Sequence, residues 1–115
     1  MVSKYYWVPN LVSETTHIPK DSIVSRTLYS DDRVKVILFT FAAGQELSDH
    51  TSTSTAILHF ICGNAKLKIA EDELDSKDQA WLYLPSNMPH SIYAITEVTM
   101  LLYLITEKNF EKGHH

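Results

Sequence analysis

The chain of 115 residues holds a single cysteine, Cys62. An internal disulfide is therefore excluded, and a reducing, cytoplasmic setting is the expectation. Cys62 lies in an apolar stretch with no cationic neighbour to acidify a thiol, so it reads as a small core residue. Basic residues are in deficit: 10 Lys and Arg stand against 14 Asp and Glu, a formal net charge of -4 with histidine neutral. With no basic stripe to neutralise phosphates, nucleic acid is excluded as a partner, and an anionic membrane surface is disfavoured on the same ground. The longest apolar run, Met100 to Ile105, is far too short to span a bilayer. The N-terminus lacks the basic head and apolar stretch of a secretory signal. Only three glycines are present, and there is no glycine-rich phosphate loop, Walker lysine or GxSxG elbow. Helical periodicity is equally scarce; residues 107–112 could form one turn.

What remains is β-structure. Hydrophobic residues make up 44% of the chain and charged residues 21%, as in an ordinary globular domain. One domain is expected over residues 1–112, and Gly113-His114-His115 reads as a purification-tag remnant, left out of site arguments. Residues 34–41 are rich in β-branched and aromatic side chains and stop at a turn, Ala42-Ala43-Gly44. Short strands are expected at 47–52, 56–61, 65–70, 80–84, 90–95 and 98–105, with two more from 4–8 and 22–29. Gly63-Asn64 is a candidate hairpin turn. Glu71-Asp72-Glu73 reads as a solvated acidic turn, and the Ser/Thr run 51–55 as a turn or a solvated strand end. His17, in a polar stretch before Ile18-Pro19, reads as a loop residue. Many short strands punctuated by turns specify an all-β sandwich or barrel. Two of them, at 36–41 and 100–105, are apolar on both faces. One face of each fills an interior; the other needs a cover, either a second subunit in a twofold dimer or the N-terminal strands.

Two turn-strand units stand out. Gly44 is followed, after five residues, by His50, and Gly63 lies 13 residues further on. Pro85 is followed by Asn87 and His90. Each unit feeds a strand headed by histidine. This spacing resembles the two motifs of the cupins. In the first, Gly44, His50 and Gly63 fit; Ser52 stands where a second histidine is usual, and Ala56 where a glutamate is usual. In the second, Pro85 and His90 fit; Gln79 and Asn87 replace glycines, and Ala94 replaces an asparagine. The resemblance spans residues 34–105. It implies a double-stranded β-helix, the jelly-roll cupin barrel, of the small conserved-barrel type with a depleted metal set.

The resemblance transfers only His50 and His90 out of the usual quartet of three histidines and a glutamate. A divalent transition metal wants three or four protein donors. Ser52 is a weak neutral donor and Ala56 none, so Zn, Ni, Cu, Fe or Mn would be held weakly or not at all. Period-2 alternation places Ala56, Leu58 and Phe60 on one face, and Ile57, His59 and Ile61 on the other. The expected ligand site is therefore His50, Ser52, Leu58, Phe60, Met88, His90 and Tyr103, with Tyr83 and Tyr93 as further wall candidates. Its expected occupant is a small organic molecule. His50 and His90 are also the candidate acid-base residues of an enzyme of dioxygenase, isomerase or lyase type, either with a metal or without one.

Overall fold

The computed structural model of the chain describes residues 5–14 and 18–106, with the backbone alone described at Asp49 and His50. The expected turn at 107–112, the tag-like end and His17 lie outside these residues. Nine strands form among the described residues: β1 (Ile23–Ser30), β2 (Val34–Phe41), β3 (Glu46–His50), β4 (Thr55–Cys62), β5 (Ala65–Ile69), β6 (Asp72–Ser76), β7 (Ala80–Leu84), β8 (His90–Ala94) and β9 (Val98–Ile105). They make a five-stranded sheet of order β1-β2-β9-β4-β7 and a four-stranded sheet of order β3-β8-β5-β6. All pairings are antiparallel.

The chain changes sheet at most of its turns. Short corners join β2 to β3, β4 to β5, β6 to β7 and β8 to β9, and each of these pairs holds matching places in the two sheet orders. The sheets therefore stack strand over strand, β3 on β2, β8 on β9, β5 on β4 and β6 on β7, as a jelly roll. β1 overhangs. All four corners fall at one end of the barrel. The connections at 31–33, 51–54, 70–71 and 85–89 fall at the other.

The corner end is tied shut. Gly44 donates to the Ala94 carbonyl at 2.7 Å, and Ala94 donates back to Gln45 at 2.9 Å. Gly63 donates to the Asp78 carboxylate at 2.8 Å, and Asn64 to the Thr96 hydroxyl at 2.9 Å. Gly63 has φ +104°, and a Cβ there would run into the Glu97 carbonyl oxygen, so this close approach requires glycine. Gly63-Asn64 is not the hairpin that the sequence predicts, because β4 and β5 lie in different sheets.

Alternation along each strand divides two apolar faces. The interior cluster includes Phe41, Phe60, Met100, Val98 and Ile92, with small Ala65 and Ala94 packed among the rings. Fully burying each large side chain contributes about 1.5–3 kcal/mol before entropy is counted. The outer face of the five-stranded sheet carries a second cluster, Leu28, Leu38 and Leu101, with Leu11, Val36, Ile61 and Tyr103 packed against it. Cys62, expected in the core, is half-buried at an irregularity in the β4–β9 pairing.

Residues 5–8 form no strand. The segment crosses the outer face instead, and leads to a short 3-10 turn (Val12–Glu14) whose start Asn10 caps by accepting from Val12 at 3.0 Å. The Arg26–Glu14 ion pair at 2.8 Å fastens that turn to β1. The acidic stretch also departs from expectation: β6 begins at Asp72, within it. As an exposed edge strand β6 has little apolar alternation to reveal it.

Candidate functional site

The interior cluster runs the length of the barrel. Phe41, Phe60, Ala94 and Val98, near the corners, are fully buried. Leu47, Ile69, Met88, Leu102 and Leu104 pack against the same interior cluster but remain half-buried. Ala56 and Leu84 at the other end are buried as well, and both histidine motifs arrive there, beside the 51–54 and 85–89 connections.

His90 opens β8, and alternation with buried Ile92 and Ala94 places it on the interior face. Its Nδ1 lies 2.9 Å from the Met88 carbonyl. A carbonyl only accepts, so Nδ1 carries a proton and donates to it. On the two flanks of His90, the register sets His50 of β3 and Ile69 of β5 opposite it. A register shift between Leu47 and His50 marks the end of β3. The backbone therefore brings both motif histidines to adjacent positions in one sheet.

Ser52 serves the backbone. Its hydroxyl accepts from Ser54 N at 3.1 Å, and its carbonyl accepts from Asn87 N at 2.7 Å. The second contact clips the two connections at that end together. Asn87 stands at φ +67° and Gln79 at φ +69°, so the two positions where the resemblance expects glycine keep a left-handed backbone without it. Met88 lies half-buried at the same end. Leu58 and Phe60 are buried inside the cluster, Leu58 at mid-barrel and Phe60 nearer the corners. They form the foundation of the interior.

The tyrosines do not join them. Tyr103 pairs with Val36 and Ile57 and packs with the outer cluster, on the reverse of the sheet from Leu58 and Phe60. Tyr83, also opposite Ile57, is exposed on that outer face, and Tyr93 is exposed on the far side of the smaller sheet, beside Lys66 and Glu46. Single-strand alternation could not say which of two apolar faces was the interior.

A cavity of about 660 Å³ lies between the outer face and the segment crossing it, lined by Tyr5, Tyr6, Trp7, Leu28, Tyr29, Tyr103 and neighbours. The Tyr6 and Tyr29 rings stand 6.1 Å apart. The Tyr29 hydroxyl donates to Asp31 at 2.7 Å, which raises the phenol and holds the carboxyl below its usual range. Sequence reasoning missed this cavity because it read residues 4–8 as a strand.

Among the described residues no three His, Cys, Asp or Glu side chains stand together as a cation cage. Ala56 is buried on the interior face with nothing to donate, and the Ser52 hydroxyl is engaged in its own turn. These two positions do not fit a transition metal, and no chemistry is derived through one.

The corner-linked sheets and the placement of both motifs define a small jelly-roll barrel with the cupin fold. No family model and no curated protein sequence matches the chain. Solved structures do. A conserved protein of unknown function from Streptococcus pyogenes is 26% identical, with a TM-score of 0.79 over 90% of each chain. A cupin superfamily protein from Desulfitobacterium hafniense has the same TM-score of 0.79 at 21% identity, over 85% of this chain and 90% of that one. A variant of the salicylate 1,2-dioxygenase of Pseudoaminobacter salicylatoxidans is similar over 72% of this chain and 26% of its own, with a TM-score of 0.68 and 12% identity. The fold is shared with proteins of unknown function and with an enzyme.

Proposed function

We propose that this protein is a cytoplasmic binding module that takes a small organic molecule at one end of the barrel, beside His90 and the strand position of His50, and retains metal weakly or not at all. One observation carries the reading: half-buried apolar side chains of the interior cluster, Ile69 and Met88 among them, lie at the barrel end that carries a histidine whose Nδ1 donates to the Met88 carbonyl. Such a site combines an apolar wall with a few oriented polar groups. The same fixed imidazole favours, as a second reading, acid-base chemistry on that molecule, with His50 as its partner.

The outer face argues for a second copy of the chain. The segment at 5–14 shelters the β1, β2 and β9 part of that face, while Trp81 and Tyr83 on β7 are 62% and 53% exposed. A stable twofold contact buries about 800 Å² per partner. Five strands spaced about 4.8 Å apart give a face on the order of 500 Å² in projection, to which the crossing segment adds. Among the described residues no helix is long and apolar enough to cross a membrane.

A fragment screen read on backbone amide resonances tests the site. Shifts are expected to cluster at Ile69, Met88, His90 and Leu104. Shifts confined to Tyr29, Leu101 and Tyr103 would move the binding site to the outer cavity. Elemental analysis of protein purified without a tag is expected to give substoichiometric metal; one ion per chain surviving a chelator would overturn that part.

A further inference from the structure

We infer that the outer cavity is a second binding site, and that it takes a small organic cation of the alkylated-ammonium type with an apolar tail. The inference does not depend on the site beside His90.

An irregularity in β1 builds the cavity. The β1–β2 register slips between Thr27 and Tyr29, which makes Leu28 an extra residue. Leu28 packs in the outer cluster, and Tyr29 stands opposite Val36, which packs against that same cluster. Regular alternation sends one of two successive side chains to the other face; the bulge keeps both outside. Tyr103 flanks Val36 from β9. Two tyrosines therefore stand in one row, two strands and about 10 Å apart, with the smaller Val36 between them. A cation above Val36 lies within the roughly 6 Å reach of both rings. The crossing segment brings three more rings to the same cavity, Tyr5, Tyr6 and Trp7. Tyr6 stands 6.1 Å from Tyr29, centroid to centroid, and tilted against it by 43°. These three residues are 79%, 56% and 73% exposed, so ring faces are left for a guest to cover.

Charge selects the sign of that guest. Among the described residues no charged side chain lines the cavity, so its wall holds nothing to repel a cation. Negative charge stands beside it. Asp31 accepts from the Tyr29 hydroxyl at 2.7 Å, and from Arg33 N and Val34 N at 2.8 and 2.9 Å. A carboxylate has about four lone-pair sites, and these donors occupy most of them. Asp31 thus keeps its charge with little capacity for further hydrogen bonds. That favours a cation without N–H donors, an alkylated ammonium, over a primary amine. Asp32 and Arg33 in the same hairpin offset one another, and Arg26, on the outer face opposite Leu38, is paired with Glu14 at 2.8 Å. An anion finds no basic group in the wall and is opposed by the net charge of -4. The volume of about 660 Å³ is that of a pocket for a whole ligand rather than an ammonium head alone. Leu28, Val36 and Leu101 offer the apolar floor for its tail.

The test titrates the full chain with choline, with its neutral isostere carrying carbon in place of nitrogen, with ethanolamine and with benzyltrimethylammonium. It reads the amides of Tyr29, Leu101 and Tyr103 and the Trp7 indole N–H. Choline is expected to bind about fivefold more tightly than the isostere and than ethanolamine, the size of one exposed cation–π contact, and benzyltrimethylammonium more tightly still. Trp7→Leu, at an exposed position, should weaken choline and leave the unfolding temperature unchanged. Asp31→Asn should weaken choline without altering the isostere. Equal binding of choline and the isostere overturns the cation selection, and so does a choline affinity unchanged in both variants. Ethanolamine matching choline overturns the preference for an alkylated head, and benzyltrimethylammonium no tighter than choline overturns the apolar tail. Choline leaving these resonances unmoved while Trp7→Leu splits a dimer gives the cavity to a second copy of the chain and overturns the inference. Choline shifts at Ile69 and His90 instead also overturn it, yet leave the binding reading for that end standing.

Discussion

The His59 imidazole donates from Nε2 to the side-chain oxygen of Gln79 across 3.1 Å, on the outer face of the five-stranded sheet. The Gln79 side chain also donates to the Ile61 carbonyl at 3.1 Å, and its backbone N–H to Phe60 at 2.7 Å. One residue thereby clamps the corner before β7 onto β4. It does so with a left-handed backbone, where the cupin pattern places glycine.

The clamp and the strain oppose each other. A left-handed non-glycine residue costs about 1–2 kcal/mol. Two solvent-accessible hydrogen bonds return about 0.5–1.5 kcal/mol apiece. Gln79→Gly relieves the first and loses the second, so its urea-unfolding free energy should stay within about 1 kcal/mol of wild type. Gln79→Val loses the bonds and worsens the strain; a loss of about 2–3 kcal/mol is expected. Equal effects of the two substitutions would show that the backbone angle is immaterial.

The other glycine corners make a second contrast. At Gly63, φ is +104° and an added Cβ would stand 2.8 Å from the Val98 Cα as well as striking the Glu97 carbonyl. At Gly44, φ is +87° and nothing lies within 4 Å of such a Cβ. Gly44→Ala should cost about 1–2 kcal/mol, the conformational strain alone. Gly63→Ala should cost more than about 4 kcal/mol, because backbone must move. Thermal and urea unfolding of the two variants would expose any reversal of that order.

The hairpin before β2 carries a pH dependence. The Tyr29 hydroxyl, then the N–H groups of Arg33 and Val34, hold the Asp31 carboxyl below its ordinary 3.8. A depressed carboxyl stabilises fully above its unfolded value, and that contribution is lost as pH falls through the folded one. For Tyr29, raised above 10.0 by the bond to Asp31 and then by its charge, the loss comes as pH rises through the folded value. In Tyr29→Phe the Asp31 carboxyl should titrate closer to 3.8 without regaining it, since both backbone donors remain. Carbon-detected NMR titration reads this directly; an Asp31 unmoved by the substitution would assign the shift to the backbone alone.

The exposed Trp81 and Tyr83 predict association. Light scattering across a dilution series should give a dimer. Trp81→Glu, a change at a 62% exposed position, should weaken it by about thirtyfold or more, the effect of losing one interface hot spot, and leave the unfolding temperature of the monomer intact. A wild-type chain that is monomeric at every concentration would leave the β7 side of the face open to water.

The strands at 34–41 and 98–105 were legible to the residue, because β-branched and aromatic runs stopped by turn residues leave little choice. β6 was not legible, since an edge strand with four exposed positions carries no apolar period. The spacing of Gly44 and Gly63 marked two of the corners, and Pro85 and His90 the turn into β8 at the other end, as these residues shape the turns where they stand. Which face of a doubly apolar strand is the interior was hidden. Tyr103 therefore came out on the outer face, away from Leu58 and Phe60. Only the register against β4 and β9 separates the two faces.

β3 is a five-residue edge strand with a single neighbour, β8, and its pairing slips before its last residue. His50 therefore ends a strand held by one ladder alone. Such a singly held margin adds less to the cooperativity of the fold than ladders flanked on both sides, so replacements along it should be better tolerated.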